Sequence, residues 1–274
     1  MLETAKAGTR FDKPGIFDSH AHYDDKQFDP DRDELLIGMS ERGVEYILNA
    51  GSSVETTLKT VELTKKYPFI YGSAGVHPEE CGDMTEADVE IIKKAALENE
   101  KIVAIGEIGL DYYWPEPDRD IQKIWFEKQL QLAGELDYPV IIHSREAAED
   151  TMTYLKKYTP DLPESRCGIV HCFSGSVEYA LEYIKMGYYI GIGGVLTFKN
   201  AKKLKQVAQA VPIEWIVIET DCPYMAPVPH RGKRNDSGYL VHVVSELADI
   251  KRITPEEAVR ITRDNALRVY GINV

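Results

Sequence analysis

Two histidines, His20 and His22, stand at the end of an apolar run that begins at Ile16. Side chains at positions i and i+2 of a β-strand point to the same side, so the two imidazoles face one way. Two imidazoles in this arrangement at a strand end can hold a metal ion between them. The pair therefore predicts metal-dependent chemistry.

Four more residues with ligand-type side chains stand at the ends of other short apolar runs: Glu107, His143, His171 and Asp221. An isolated residue of this kind is ordinarily a hydrogen-bonded core residue or a member of an ion pair. Six of them at the ends of five strand-like runs instead predict one shared site. A carboxylate has two oxygens that can span ions roughly 3.5–4 Å apart, and such ions activate water. The pattern therefore predicts a metal-dependent hydrolase.

Apolar strand-like runs alternate with amphipathic, helix-like segments along the chain. The predicted strands cover residues 16–22, 44–50, 69–76, 102–107, 139–143, 168–173, 188–193 and 215–221. The predicted helices cover residues 31–42, 54–67, 85–99, 118–136, 145–158, 176–186, 199–210, 236–249 and 254–270. Several of the strand-like runs are apolar on both faces, which is typical of parallel strands covered by helices. The order predicts an α/β fold, a (β/α)8 TIM barrel with additional C-terminal helices.

The barrel would bring the candidate ligands together. They fall on strands 1, 4, 5, 6 and 8, at the carboxyl rim where barrel enzymes place their chemistry. A doubly wound sheet is the alternative architecture, but it would keep strands 1 and 8 apart. Because no linker, low-complexity stretch or internal repeat divides the sequence, we expect residues 1–274 to form a single domain.

The composition limits the classes of partner. The chain has 32 Lys and Arg against 45 Asp and Glu, a formal net charge of −13. This balance argues against broad non-specific binding of nucleic acid, although divalent cations would reverse the charge locally. The four cysteines show no CxxC pairing and are expected to be reduced. Residues 1–13 lack the apolar stretch of a secretory signal, and no membrane span is evident, so we expect a cytoplasmic protein that does not contact membranes. For a barrel of this size we expect a monomer.

Six short motifs carry a resemblance to a known family. They are Asp18-Ser19-His20-Ala21-His22, Gly75-Val76-His77-Pro78, Gly106-Glu107-Ile108-Gly109-Leu110-Asp111, His143-Ser144-Arg145, His171-Cys172-Phe173-Ser174-Gly175 and Glu219-Thr220-Asp221-Cys222-Pro223. In this order they resemble the TatD family of metal-dependent deoxyribonucleases, within the amidohydrolase superfamily, from about residue 16 to the C-terminus. The resemblance implies a TIM-barrel hydrolase with a two-metal centre that cleaves phosphodiester bonds in DNA.

The resemblance also implies roles for the ligands. His20, His22 and Asp221 would hold one ion, and Glu107 would bridge to a second ion held by His143 and His171. Our hypothesis is that a water between the ions attacks phosphorus in line and that Asp221 accepts its proton. Glu107 and Asp221 are thus the catalytic candidates. The sequence does not decide the identity of the metal, because histidines suit Zn²⁺ or Mn²⁺ whereas Mg²⁺ prefers oxygen ligands.

Other residues near these motifs are candidates for binding substrate. His77 resembles a phosphate-binding residue, with a turn role beside Pro78 as the alternative. Arg145 suits a phosphate oxygen, with a salt bridge as the alternative. Arg231 lies in the densest basic stretch, residues 229–235, which binds phosphate or is simply solvated. Glu219 is predicted to orient a ligand histidine.

The loop after the fourth strand carries Asp111, Tyr112, Tyr113 and Trp114. Its aromatic rings either stack on an unpaired base or pack internally. Asp111 either fixes a turn in this loop or takes a direct part in the chemistry.

We hypothesise an exonuclease that acts on single-stranded or frayed DNA ends. One alternative is a related barrel hydrolase that acts on an amide, a lactone or an aminoacyl ester. Many such superfamily members bridge their ions with a modified lysine where this chain has Glu107, which favours the nuclease. A second alternative is a non-catalytic nucleic-acid or metal-binding protein that kept the fold.

Overall fold

The computed structural model describes residues 15–162 and 166–274. Within them, eight strands form one parallel sheet in chain order. The strands are β1 (Ile16–Ala21), β2 (Val44–Ala50), β3 (Ile70–Ala74), β4 (Ile102–Asp111), β5 (Val140–Arg145), β6 (Gly168–Val170), β7 (Tyr188–Ile192) and β8 (Ile216–Ile218). The interpretation of residues 1–13 as lacking a secretory signal concerns residues outside the described part.

Helices alternate with the strands and continue after β8. They are α1 (Arg32–Ile37), α2 (Val54–Lys66), α3 (Glu86–Glu98), α4 (Arg119–Leu136), α5 (Ala148–Tyr158), α6 (Val177–Lys185), α7 (Lys202–Ala210), α8 (Leu240–Lys251) and α9 (Pro255–Val269). The start of α9 shows why they begin where they do: the Thr254 side chain accepts from the Glu257 amide, and Pro255 occupies the first turn. The predicted (β/α)8 barrel with additional C-terminal helices is confirmed.

The ends of the sheet meet just beyond β8. The amide of Asp221 donates to the His20 carbonyl at 2.9 Å, and the amide of His22 donates to the Cys222 carbonyl at 2.9 Å. These bonds bring the first and last strands together, as a closed barrel requires and a doubly wound sheet does not allow. They also place both histidines beside Asp221.

The barrel has an inner and an outer apolar layer. Phe17, Ile141 and Val217 belong to an inner cluster to which seven of the strands contribute. The C-terminal end of α9 packs against that cluster, and the buried hydroxyl of Tyr270 donates to the Ser19 carbonyl at 2.7 Å. A second cluster fills the space between the strands and the surrounding helices. The buried apolar interior leaves the carboxyl ends of the strands as the place for polar chemistry.

Several strand lengths differ from the prediction. β4 and β5 run on together, and Asp111 pairs in register with Arg145. The extension depends on Gly109, because a Cβ there would collide with the backbone carbonyl of His143. β6 and β8 end earlier than predicted, and Cys172 and Asp221 in the segments that follow adopt positive φ values of 44° and 55°, which are not extended backbone.

Among the helices that the structure describes, none combines the length and the apolar character needed to cross a bilayer.

Candidate metal centre

Six side chains converge at the carboxyl ends of the strands. His20 and Glu107 lie within β1 and β4, and His143 lies within β5. His22, His171 and Asp221 follow the ends of β1, β6 and β8. All but the fully buried His20 line an open cavity of about 930 Å³. The fold therefore brings together every residue that the sequence proposed as a metal ligand.

Three of these side chains form a first group on β1 and after β8. The Nε2 atoms of His20 and His22 lie 3.0 Å apart. Oδ1 of Asp221 lies 3.4 Å from the His22 Nε2 and 3.8 Å from the His20 Nε2. Nδ1 of His22 lies 3.1 Å from the Ala50 carbonyl, which can only accept. The neutral His22 therefore carries its proton on Nδ1 and presents a free lone pair at Nε2.

Glu107 connects this group to a second one. Its Oε1 lies 2.7 Å from the His171 Nε2 and 3.0 Å from the His143 Nδ1. Its Oε2 lies 3.2 Å from the His20 Nε2 and 3.6 Å from the His22 Nε2. Each oxygen of one carboxylate thus faces a separate pair of imidazoles. This is the arrangement that a bridging carboxylate between two ions requires.

The donor set fits divalent cations. In the described part of the chain, three groups of ligand atoms each lie within 4.8 Å of one another, and together they contain Glu107, Asp221 and the histidines around them. Facing nitrogens such as those of His20 and His22 repel when both carry lone pairs, unless a proton or a cation lies between them. Glu107 is only 3% exposed, and a buried carboxylate is costly without a compensating charge. Divalent ions held by these residues would satisfy both requirements.

The electrostatics keep the carboxylates ionised. Burial alone would raise the pKa of Glu107, but the surrounding imidazoles, His171 first among them, hold it well below its usual value. The pKa of Asp221 is lowered in the same way, against the effect of burial, chiefly by His22. Burial lowers the pKa of His20 to about 4. Near neutral pH these three residues are therefore in the protonation states that bind metal.

Three imidazoles that face carboxylates, those of His22, His143 and His171, show the converse effect, a raised pKa. Burial would lower the pKa of His22, but its hydrogen bond to Asp221 and the charge of Glu107 raise it to about 10. For His143, Asp111 and Glu107 outweigh burial and raise the pKa to about 9. The carboxylates therefore favour positive charge at both groups of ligands. A bound metal cation can supply that charge in place of a proton.

His77 lies beside the second group and also shapes a turn. Its Nε2 is 3.5 Å from the Glu107 Oε1, and its ring packs edge-on against His143 with centroids 4.2 Å apart. Its Nδ1 accepts from the Glu79 amide at 3.2 Å. The neutral His77 therefore carries its proton on Nε2, which faces the cavity as a donor. The turn role beside Pro78 is seen in this contact, and phosphate binding by His77 stays a prediction.

Arg145 lines the cavity with its guanidinium stacked on an aromatic ring. Its Cζ lies 3.7 Å from the ring centroid of Tyr113. In the part of the chain that the structure describes, it makes no ion pair with a carboxylate. Trp114 lies edge-on to Tyr113 at 4.8 Å, is 47% exposed and lines the same cavity. Tyr112, in contrast, donates its hydroxyl to Asp150 at 2.6 Å and packs against the core.

The basic stretch after β8 lies outside the cavity lining. Arg231 stacks over Phe198, with 4.1 Å between its Cζ and the ring centroid. Arg234 donates to both oxygens of Asp31, at 2.8 and 2.6 Å, and to the Gln27 carbonyl at 2.7 Å. Arg234 therefore anchors its loop instead of facing substrate.

Glu219 is fully buried beneath the loop that follows β6. Its Oε1 accepts from the Cys172 amide and lies 3.9 Å from the His171 Nδ1, beyond hydrogen-bond distance. Burial raises its pKa to about 8. Glu219 therefore contacts the backbone next to His171 and makes no direct hydrogen bond with the imidazole.

A family comparison adds to this geometry. The family model described as "TatD related DNase" matches residues 17–271. The chain belongs to the TatD family.

Individual TatD-family relatives cover nearly the whole chain. The "uncharacterized metal-dependent hydrolase YabD" of Bacillus subtilis is 44% identical over 258 residues, which are 94% of this chain and 100% of the relative. The "3'-5' ssDNA/RNA exonuclease TatD" of a Rahnella species is 32% identical over 265 residues, covering 94% and 99%. Among solved structures, the TatD homologue YjjV of Escherichia coli K12 superposes with a TM-score of 0.88 at 29% identity, covering 94% and 98%.

Sequence reasoning left the role of one TatD-motif residue undecided. Asp111 is fully buried, and its Oδ2 lies 2.8 Å from the Nε2 of His143. The predicted fourth strand ends at Glu107, which puts Asp111 in a loop, whereas β4 extends to Asp111. The available signal was the spacing of four residues from Glu107, which puts both carboxylates on one side of a longer strand.

Proposed function

We propose that the protein hydrolyses phosphodiester bonds of DNA as an exonuclease on single-stranded or frayed ends. The observation that carries this proposal is the position of Glu107, whose two oxygens face separate groups of imidazoles beneath an open cavity. The family description and the name of the Rahnella relative support the choice of a nucleic-acid substrate. That relative's name also includes RNA, so RNA belongs in the test.

The proposed centre binds two divalent ions, which are Mg²⁺, Mn²⁺ or Zn²⁺. His20, His22 and Asp221 would hold one ion, and His143 and His171 the other, with Glu107 shared by both. When bound, the ions would supply Lewis acidity that lowers the pKa of water and neutralises charge on the phosphate.

The two carboxylates take different parts in the proposed reaction. The side chain of Asp221 is 19% exposed and that of Glu107 only 4%. Asp221 therefore faces the substrate side and accepts the proton of the attacking water at a carboxylate oxygen. Glu107, surrounded by imidazoles, holds the two ligand groups at a constant separation.

Groups around the cavity would position the phosphate. His77 presents a proton on Nε2, and Arg145 presents a guanidinium that stacks on Tyr113 and lines the cavity. Both can donate hydrogen bonds to phosphate oxygens, and the guanidinium matches them in planar geometry. We place Arg231 further along the bound strand, because it does not line the cavity. Trp114 offers a half-exposed ring on which an unpaired base can stack.

A hydrolase that acts on an ester or amide could use the same metal ligands. The cavity-lining Arg145 makes no ion pair with a carboxylate among the described residues, although its charge acts on Asp111 and Glu79, and it favours a phosphate over a neutral carbonyl substrate. An uncharged ester offers this guanidinium no anionic partner.

We also propose that the chain acts as a single-domain monomer, because one chain contributes all six candidate ligands. Light scattering on the eluting protein should give the mass of one chain. A dimer mass would contradict this part of the proposal.

The decisive assay uses end-labelled single-stranded DNA, blunt duplex DNA and RNA, with a panel of esters, and each divalent cation in turn. We expect single-stranded DNA to be shortened from one end in a cation-dependent way. Glu107→Gln should reduce kcat/KM on the order of 10³-fold, because it removes the bridging charge. Glu80→Gln is the matched control, since Glu80 lines the same cavity but is exposed. Cleavage of an ester with no cleavage of DNA would overturn the proposal.

A further inference from the structure

The carboxylate of Asp111 sits behind one of the proposed metal ligands. Its Oδ2 lies 2.8 Å from Nε2 of His143, while Nδ1 of the same ring lies 3.0 Å from Oε1 of Glu107. Nδ1 also lies 3.3 Å from the Nε2 of His171. The imidazole of His143 thus has one nitrogen directed into the metal centre and the other directed away from it.

The partner of each nitrogen determines where the proton of His143 lies. An ionised carboxylate can only accept, so Asp111 favours a proton on Nε2. The neutral ring then has its lone pair on Nδ1, where a metal ion can bind. This differs from His22, which carries its proton on Nδ1 and directs Nε2 into the centre. A ring that binds through Nδ1 needs its own acceptor on the opposite side.

Asp111 is held rigidly enough to serve as that acceptor. Gln122 of α4 accepts from the Asp111 amide at 2.9 Å and donates to the Asp111 carbonyl at 2.8 Å. The second carboxylate oxygen, Oδ1, accepts from the amide of Tyr113 at 2.9 Å. Asp111 is fully buried, so water cannot easily replace it as the acceptor. Both its backbone and its carboxylate are therefore fixed.

We propose that Asp111 is a positioning residue that fixes the tautomer and the ring orientation of His143, so that Nδ1 faces the second ion. This inference rests on the proposed two-metal centre. The same carboxylate also accepts from the backbone amide of Tyr113, the residue on whose ring Arg145 stacks. Loss of the Oδ2 contact alone should affect the metal and spare the loop.

Asp111→Asn separates these two contacts. The asparagine Oδ1 can still accept from the Tyr113 amide, but its NH₂ group would now donate towards the Nε2 of His143. That reversal favours a proton on Nδ1 and removes the lone pair that the ion needs. We expect affinity for the ion held by His143 and His171 to fall about 10–100-fold. The ion held by His20, His22 and Asp221 should bind as in the wild type.

Calorimetric titration of the metal-free protein with Zn²⁺ alone measures the affinity of each of the two ion sites. This measurement does not depend on enzymatic activity. Asp150→Asn is the matched control, since it removes a nearby carboxylate that contacts Tyr112 and Lys123 instead of His143. The control should bind zinc as the wild type does. An Asp111→Asn protein that binds both equivalents with wild-type affinity would overturn the inference. A wild-type protein that binds no zinc would instead contradict the metal centre itself, and this inference with it.

A spectroscopic measurement on the wild type covers the case in which Asp111→Asn does not fold. In protein labelled with ¹⁵N-histidine, the zinc-loaded form should show a protonated Nε2 for His143, assigned by its loss in His143→Gln. A merely structural role for Asp111 would not determine this tautomer. Observation of the proton on Nδ1, or of zinc bound through Nε2, would refute the assignment.

Discussion

The histidines of the centre differ in the nitrogen that each directs towards it. His20, His22 and His171 present Nε2, whereas His143 presents Nδ1. Nearby acceptors account for two of these choices: the Ala50 carbonyl faces the Nδ1 of His22, and the carboxylate of Asp111 faces the Nε2 of His143. The residue type in the sequence determines that a side chain can bind a metal, and its hydrogen-bond partner determines through which atom.

Arg145→Lys tests the proposed phosphate contact at the residue scale. Lysine keeps the positive charge but loses both the planar donor geometry and the stacking on Tyr113. We expect KM for single-stranded DNA to rise about tenfold, which corresponds to ~1.4 kcal/mol, with a smaller effect on kcat. Steady-state kinetics on a labelled oligonucleotide measure both constants.

Arg119→Lys is the control for this substitution, because Arg119 stacks on Tyr112 at 4.4 Å but does not line the cavity. Its KM should stay at the wild-type value. An equal rise in both variants would show that stacking on the loop, and not phosphate binding, explains the effect.

At the scale of elements, α4 positions two segments that carry site residues. Its buried Gln122 forms hydrogen bonds with both the amide and the carbonyl of Asp111. Its buried Gln129 does the same for Val76, accepting from the amide at 2.8 Å and donating to the carbonyl at 3.0 Å. His77 is the next residue after Val76. The two glutamines are seven residues apart, which places them on one face of the helix. The helix thus fixes the start of two loops at the cavity.

Gln129→Leu should lower the free energy of unfolding by about 3 kcal/mol. Leucine fills a similar volume but leaves the buried amide and carbonyl of Val76 without partners, at about 1–3 kcal/mol for each. Urea denaturation followed by circular dichroism measures the change. Gln131→Leu serves as the comparison, since Gln131 is exposed on the same helix. A loss of less than 1 kcal/mol in Gln129→Leu would mean that water or a backbone shift satisfies these groups.

In the molecule as a whole, closure of the barrel and formation of the centre depend on the same contacts. Buried Asp18 of β1 accepts from the Thr220 amide at 2.9 Å, from the Thr220 hydroxyl at 2.6 Å and from the Ser237 hydroxyl at 2.6 Å. These bonds join β1 to the segments after β8 and lie two residues from His20. The candidate ligands come from five strands, so the centre exists only when the sheet is closed.

Metal removal tests this coupling. An ion that binds the native but not the unfolded chain stabilises the fold by about 2.7 kcal/mol at a concentration 100 times its Kd. For a chain of this length, a chelator should therefore lower Tm by about 5 °C or more, and added Zn²⁺ should restore it. Differential scanning fluorimetry measures both shifts.

The double variant His20→Gln/His143→Gln is the control for metal removal, because it loses one ligand from each group. Its Tm should respond little to zinc or to chelator. A wild-type Tm that is independent of divalent cations would contradict the proposed centre.

The sequence by itself determined the order of strands and helices, the barrel and the set of six convergent side chains. Apolar periodicity and polar residues at strand ends are local signals, so they can be recognised in the sequence without knowledge of the fold. Such local signals do not predict the full length of β4, because its extension depends on pairing with β5 and on the space left by Gly109. For the same reason the sequence predicts a loop at Asp111, which is the last residue of β4.

Tertiary structure alone decided the partners of individual polar groups. Arg234 pairs with Asp31, 203 positions away in sequence, and so differs from Arg145, which has no such partner among the residues described. Glu219 accepts a hydrogen bond from the Cys172 amide and not from His171. The carboxylate of Asp111 is instead the hydrogen-bond partner of the His143 imidazole. Hydrogen bonds act over about 3 Å and depend on direction, so their partners follow from the packed positions of distant segments. These distances cannot be inferred from the order of residues along the chain.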